Sequence, residues 1–221
     1  MKKLVMTVAA AGMLAAGLAA WPGAAAAGTT APGATGTRAP EYSPPPVAWG
    51  PCDSASLQRA GAQCGLLTVP LDYAKPQGTK IKIAVSRIMH KTSDANAQGV
   101  MLVNPGGPGG SGLELARLGE FVPGHGGDPY DWIGVDPRGV GSSQPALSCD
   151  GAYFGGPRPY FVPETAALRQ AWWDKTRQYA RDCGAAHGAL LGHMKTTDLA
   201  GDMESIRKAL GAATINYYGF S

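Results

Sequence analysis

The chain has 221 residues, of which 44% are hydrophobic and 16% are charged, so it can bury a core and is too apolar for a disordered chain. Lys and Arg together number 19 against 16 Asp and Glu, which gives a net charge of +3. A protein that binds nucleic acid by neutralising phosphates is far more basic, so the charge excludes that class and a polybasic membrane anchor.

Residues 1–27 are predicted to form a cleaved signal peptide. Lys2 and Lys3 precede an uncharged apolar run over residues 4–21, and residues 25–27 are the small alanines that a signal peptidase recognises. A transmembrane helix is the alternative, because the run has about 18 residues and that is near the spanning limit. The run is rich in Ala and Gly and ends in small residues rather than charges. We therefore expect a secreted protein, cleaved near Ala27, with no stable membrane anchor.

Two further segments follow the signal peptide. Residues 28–46 are rich in Gly, Pro and Thr and are predicted to form a flexible leader or linker. Residues 47–221 are predicted to form one catalytic portion with two disulfides, since an exported chain with four cysteines pairs them. Three pairings are possible, and a zinc site is the alternative, although no metal-ligand spacing fits it. The disulfide candidates are Cys52, Cys64, Cys149 and Cys183.

Hydrophobic patterning predicts alternating strands and helices. Residues 80–89 alternate with period two, as a half-exposed antiparallel strand does, and further strands are predicted at residues 66–70, 100–103, 132–136 and 214–218. Helices are predicted at residues 113–118, at 164–180, and from a cap at 196–198 to Gly211. This order predicts an α/β fold with antiparallel leading strands and a mostly parallel central sheet flanked by helices.

A glycine-rich segment, residues 104–112, lies directly between a predicted strand and a predicted helix. Its glycines match the spacing of a dinucleotide-binding loop, but an exported protein has little access to nicotinamide cofactors. A phosphate-binding loop is excluded because no Lys follows the glycines. A simple turn is the second interpretation. The third is a loop whose backbone N–H groups stabilise a developing oxyanion, since glycines let the main chain approach a substrate.

The last predicted strand continues into Gly219-Phe220-Ser221. In the nucleophile elbow, G-x-S-x-G, small residues flank the serine because the turn between strand and helix is tight. Three of its five positions are present here. The short motif alone is weak, but its place after a buried strand and downstream of the glycine-rich loop favours an acyl-transfer site with Ser221 as the nucleophile.

Together these motifs resemble the secreted α/β-hydrolases of the prolyl-iminopeptidase-like family, especially the actinobacterial tripeptidyl aminopeptidases. The matching segments are spread over the whole chain after residue 48, in the order of the family, and they are residues 49–64, 69–73, 104–112, 136–143 and 196–221. The resemblance implies an α/β-hydrolase fold and a serine exopeptidase with no cofactor and no metal. It implies Ser221 as nucleophile, Gly106 or Gly107 as one oxyanion donor, and a structural turn at Asp136 and Arg138.

The resemblance also implies that residues 1–221 are the N-terminal part of a larger hydrolase. Family members order the triad as Ser, then acid, then His, so both partners of Ser221 are expected downstream. The segment by itself is therefore expected to be inactive. The upstream histidines are expected at surface or packing positions, and they are His90, His125, His187 and His193. The acidic residues on the predicted helices are expected to be solvated or to act as caps, and they are Asp174, Asp182, Asp198, Asp202 and Glu204.

Three hypotheses of function follow. The first is an exported serine peptidase that releases short peptides or residues from free peptide N-termini through an acyl-enzyme. The second is an ester or lactone hydrolase with the same fold. The third is a non-catalytic extracellular binding protein built on that fold. A carboxylate placed to bind a free amino group favours the first, and the presence of the downstream acid and His separates both enzymes from the third.

Overall fold

The computed structural model describes residues 41–155 and 158–221. These residues contain six strands, four α-helices and three short 3₁₀ helices. The strands are β1 Gly50–Pro51, β2 Gln63–Pro70, β3 Lys80–Ile88, β4 Gly99–Asn104, β5 Tyr130–Asp136 and β6 Ile215–Gly219. The α-helices are α1 Ala55–Arg59, α2 Ala152–Gly155, α3 Ala166–Leu191 and α4 Thr196–Ala209, and the 3₁₀ helices are Asp94–Asn96, Leu113–Phe121 and Pro123–His125.

All six strands belong to one mixed sheet with the order β1-β2-β3-β5-β4-β6. Strand β2 pairs antiparallel with both β1 and β3, and β3 also pairs antiparallel with β5. Strand β4 pairs parallel with both β5 and β6. The predicted α/β architecture with antiparallel leading strands is confirmed. The predicted mostly parallel centre is present only in the two pairings of β4, because three of the five pairings among the described strands are antiparallel.

Helices cover both faces of the sheet. Ile81, Ile83 and Val85 of β3 point to one face, where they share a core with Ile206 of α4. Ile88 belongs to a second core with residues of α1 and of the 3₁₀ helix Leu113–Phe121. The prediction of a half-exposed strand is wrong for the second half of β3. Helix α4 covers one face of that part, and α1 with the 3₁₀ helix Leu113–Phe121 covers the other.

The predicted helices are present, with some different bounds. The segment predicted as a helix at residues 113–118 is the longer 3₁₀ helix Leu113–Phe121. The helix predicted at 164–180 is α3, which extends to Leu191 and buries only Cys183 and Leu190. Helix α4 begins at Thr196, and Asp198 accepts a hydrogen bond from the backbone N–H of Lys195 at 3.1 Å, so its predicted role as a cap is confirmed.

Two disulfides tie the chain together. They join Cys52 to Cys64 and Cys149 to Cys183, so the pairs are the two that are local in sequence. The expectation of two disulfides is confirmed. Each of the four sulfur atoms is bonded to another, so none is available as a zinc ligand. Within the described residues, no helix is both long enough and apolar enough to cross a membrane.

The predicted signal peptide and most of the predicted leader lie outside the described residues. The last part of the leader, residues 41–46, contacts the folded chain. The hydroxyl of Tyr42 donates to the carbonyl of Thr68 at 2.9 Å, and Lys208 binds Glu41.

Candidate active site

The predicted site residues meet at one edge of the sheet. Strands β4, β5 and β6 run parallel, so their carboxyl ends lie side by side, which is where α/β sheets bind ligands. The glycine-rich loop of residues 104–112 follows β4, a turn at residues 137–143 follows β5, and Phe220 and Ser221 follow β6. These three segments border a cavity of about 820 Å³.

The glycine-rich loop passes against the segment that carries Ser221. Gly106, Gly107 and Gly109 have φ values of +77°, +123° and +103°, a region that residues with a side chain rarely adopt. A Cβ atom on Gly106 would lie 2.4 Å from the carbonyl oxygen of Phe220 and 3.1 Å from the Cβ of Ser221. Only glycine allows the two backbones to approach so closely. The glycine-rich loop therefore lies in direct contact with the segment that carries the predicted nucleophile.

Ser221 follows the end of β6, one residue after Phe220. The backbone N–H of Phe220 donates to the carbonyl of Asn104 at 3.1 Å, which extends the pairing of β6 with β4 by one bond. Ser221 then has a φ of +52°, an unfavourable conformation for a residue with a side chain. Such a conformation is typical of the sharp turn that exposes a nucleophilic serine at the top of a sheet. Ser221 lines the cavity together with Gly106 and Gly107.

Asp136 lies at the carboxyl end of β5 and is fully buried. One carboxylate oxygen accepts hydrogen bonds from the Ser111 hydroxyl at 2.6 Å and from the Gly112 N–H at 2.8 Å. The other accepts from the Ser142 N–H at 2.7 Å. This side chain thus joins the glycine-rich loop to the turn after β5, in agreement with a structural role at the strand end.

Arg138 and Asp202 form an ion pair in the interior, with 1% and 4% of their side chains exposed. Arg138 donates to the two carboxylate oxygens of Asp202 at 2.8 and 2.7 Å, and it also donates to the carbonyls of Leu71 and His193. The hydroxyl of Tyr73 donates to Asp202 at 2.9 Å. Burial, with the nearby Asp202 charge, raises the pKa of Tyr73 far above its usual value, so its hydroxyl stays protonated.

The expectation that Asp202 is solvated or caps a helix is wrong. Asp202 faces inward because it lies on the apolar side of α4, three residues after Leu199 and four before Ile206. That spacing was the signal in the sequence for a buried carboxylate. Nothing in the sequence named Arg138 as its partner, because the two are 64 residues apart.

None of the four histidines lines the cavity around Ser221 in the described part of the chain. His90 binds Asp131 and Asp94 through its two ring nitrogens, at 2.7 and 3.1 Å. His125 binds Asp128, and His187 binds the carbonyl of Ser148. The carbonyl of His193 accepts a bond from Arg138, whereas its ring has no place at the cavity. The site thus holds a candidate nucleophile and a candidate donor loop, without an acid–base pair from residues 41–155 and 158–221.

The chain is similar to several known hydrolases. The chain is 40% identical to the tripeptidyl aminopeptidase of Streptomyces lividans over 179 residues, which are 79% of this chain and 33% of that protein. It is 36% identical to serine protease Hip1 of Mycobacterium tuberculosis over 185 residues, 80% of this chain and 35% of that protein. It is 33% identical to carboxylesterase B of Mycobacterium tuberculosis over 181 residues, 75% of this chain and 33% of that protein.

No protein-family model matches the chain. The chain spans about a third of the length of the curated relatives it matches. The predicted resemblance to the actinobacterial tripeptidyl aminopeptidases is confirmed, and the relatives carry the names of serine peptidases and other hydrolases.

Proposed function

We propose that Ser221 is the nucleophile of a serine hydrolase with the α/β-hydrolase fold, and that residues 47–221 form the N-terminal portion of its catalytic domain. The observation that carries the proposal is the contact between the two key segments. The backbone of Gly106 lies against Phe220 and Ser221 so closely that a Cβ atom would reach within 2.4 Å of a carbonyl oxygen. A nucleophile and an N–H donor must lie side by side to act on one carbonyl group, the first on its carbon and the second on its oxygen.

In this proposal the reaction proceeds through an acyl-enzyme. The Ser221 hydroxyl oxygen attacks the substrate carbonyl while a histidine from the chain after residue 221 takes its proton. The backbone N–H of Gly106 or Gly107 stabilises the oxyanion, and the N–H of the residue after Ser221 supplies the second donor. The histidine then gives its proton to the leaving group, and water hydrolyses the ester formed with Ser221. A downstream acid orients the histidine.

The substrate we propose is a peptide with a free N-terminus. Support comes from the relative named tripeptidyl aminopeptidase. An enzyme of this type requires a carboxylate for the substrate's amino group. Among the described residues, Asp202 is the carboxylate that lines the cavity, and Arg138 and Tyr73 already occupy its oxygens. We therefore expect the amine-binding carboxylate in the chain after residue 221.

An ester hydrolase is the second candidate. It is favoured by the similarity to carboxylesterase B and by a cavity that is lined mostly with apolar side chains. The two candidates differ in their need for a charged amine. A peptidase of the proposed kind cleaves short peptides with a free N-terminus far faster than the same peptides after N-acetylation, whereas an esterase is indifferent to that change and prefers simple esters.

We also propose that the protein is exported. Two disulfides support this, because such bonds persist in oxidising compartments and are rare in the cytosol.

The decisive experiment uses the full-length natural protein. Ser221→Ala removes the attacking oxygen and is expected to lower turnover by on the order of 10⁶, with the fold retained. Ser43→Ala, at an exposed serine outside the site, is the matched control and should keep wild-type turnover. A phosphonate inhibitor should label Ser221 in the wild type. Full activity of Ser221→Ala would refute the assignment.

A second variant tests the donor loop. Gly106→Ala forces the loop away from Phe220 and should reduce turnover by roughly 10²–10³, the effect of losing one oxyanion donor. Gly61→Ala is its control, because Gly61 also has a positive φ of +72° but has open space around it and lies after α1. Equal turnover in the two variants would contradict the role of the loop.

A further inference from the structure

The two ends of the glycine-rich loop are held in different ways. At its start, Asn104 is the last residue of β4. Its carbonyl accepts the N–H of Phe220 at 3.1 Å, and its side-chain oxygen accepts the N–H of Gly106 at 3.5 Å. At its end, the N–H of Gly112 donates to the carboxylate of Asp136. No other side chain of the described residues binds the backbone of residues 111–112. Between these anchors, Gly106, Gly107 and Gly109 all have positive φ. Because glycine is conformationally permissive, the anchors decide where the N–H groups of this stretch point.

The anchor at Asp136 is a buried negative charge with neutral partners. Its three hydrogen bonds come from the Ser111 hydroxyl and from the N–H groups of Gly112 and Ser142, at 2.6–2.8 Å. No ion pair to Asp136 is present within residues 41–155 and 158–221. Hydrogen bonds to an ionised acceptor are about twice as strong as neutral ones, so the carboxylate holds these donors firmly.

The backbone packs tightly around Asp136 at Gly112 and Gly141. A Cβ atom on Gly112 would lie 2.2 Å from the carbonyl oxygen of Val135. A Cβ atom on Gly141 would lie 2.2 Å from a carboxylate oxygen of Asp136. Both segments therefore meet the end of β5 through glycine backbone, and the Asp136 carboxylate binds the two of them together.

We infer that Asp136 is a positioning residue of the proposed hydrolase: it fixes the end of the glycine-rich loop so that the Gly107 N–H faces the oxyanion site beside Ser221, while the Gly106 N–H is held by Asn104. This inference rests on the proposed function. Among the described residues Asp136 does not line the cavity, so it acts through the loop and not on the substrate. Its effect is on the transition state, because the oxyanion forms only there and a displacement of about 1 Å in a positioned group can cost 10²-fold in rate.

The first test is Asp136→Asn in the full-length protein. The amide keeps the shape of the side chain but turns one acceptor into a donor, which faces an N–H of Gly112 or Ser142. We expect kcat to fall by roughly 10–100-fold with KM changed less than about twofold, since the lost interaction matters only in the transition state. Binding of a peptide aldehyde, which forms an oxyanion on Ser221, should weaken in parallel with kcat/KM. Binding of the matching product peptide should not.

A second pair of variants keeps the inference falsifiable if Asp136→Asn fails to fold. Ser111 is exposed, and Ser111→Ala removes one bond to Asp136 without burying an unpaired group. It should lower kcat by roughly 3–10-fold at unchanged KM, because two of the three donors to Asp136 remain and the loop is only partly displaced. Ser111→Thr keeps the hydroxyl and should restore wild-type kcat.

The outcomes separate this inference from the proposed function. If Ser221→Ala is inactive while Asp136→Asn or Ser111→Ala, measured in folded protein, keeps wild-type kcat, the positioning role is overturned and the hydrolase stands. A rise in KM alone, or a Ser111→Thr variant as slow as Ser111→Ala, also overturns it. Full activity in Ser221→Ala overturns the proposed function and this inference with it.

Discussion

Removing the carboxylate of Asp202 should destabilise the protein more than any surface charge change on the same helix. Arg138 is 1% exposed and directs its guanidinium at both oxygens of Asp202, at 2.8 and 2.7 Å. Asp202→Ala leaves that charge buried with only main-chain carbonyls as acceptors, and it takes the acceptor from the Tyr73 hydroxyl. Breaking a buried pair in this way costs about 3–5 kcal/mol of the free energy of unfolding.

The matched control is an exposed ion pair on α4 itself. Glu204 and Arg207 are joined at 2.7 Å, the same separation as the buried pair, but their side chains are 49% and 25% exposed. Glu204→Ala should cost no more than about 1 kcal/mol, because solvent screens an exposed pair. Urea denaturation of the full-length protein, followed by tryptophan fluorescence, measures both losses at one pH and salt concentration.

A double-mutant cycle completes the test. The cycle compares the single variants Arg138→Met and Asp202→Leu with Arg138→Met/Asp202→Leu, in which both charges are replaced by apolar groups and no unpaired charge remains in the interior. The double variant should therefore be more stable than the sum of the single losses predicts. The reasoning is refuted if Asp202→Ala costs as little as Glu204→Ala, or if the two single losses simply add in the double variant.

Three further predictions concern export, covalent structure and pH. N-terminal sequencing of secreted protein should give a mature chain that begins near Gly28, and an intact Met1 would contradict this. Replacing both Cys149 and Cys183 by serine should lower the free energy of unfolding by about 4 kcal/mol, because this disulfide closes the longer loop; losing Cys52–Cys64 should cost about 3 kcal/mol. Thiol titration of the exported wild type should find no free thiol. The hydrogen bond with Asp131, followed by the one with Asp94, raises the pKa of His90 in the folded protein. Protonated His90 therefore stabilises the fold fully below the unfolded pKa of about 6.5, and this stabilisation is lost as the pH rises through the folded pKa. Stability measured from about pH 5.5 to 8.5 should therefore fall more steeply in the wild type than in His90→Gln, and identical profiles would count against the pairing.

The sequence by itself determined the elements whose signals are local. Periodicity along the chain placed every major strand within a few residues of its observed bounds, and the order of strands and helices predicted the mixed sheet. The two disulfides, local in sequence, are one of the three pairings that four cysteines allow. The candidate nucleophile at Ser221 and the glycines before it were visible because a tight turn and a close backbone approach demand small residues at fixed positions.

Only the tertiary structure decided which distant residues meet. It brought Gly106 against Phe220 because β4 and β6 are neighbours in the sheet although β5 lies between them in sequence. It turned Asp202 inward onto Arg138 and gave Asp136 three donors from two separate loops. A hydrophobic pattern reports whether a position is buried, since burial follows from the face of its own element. The partner that satisfies a buried charge depends on how elements far apart in sequence pack, and no local pattern carries that information.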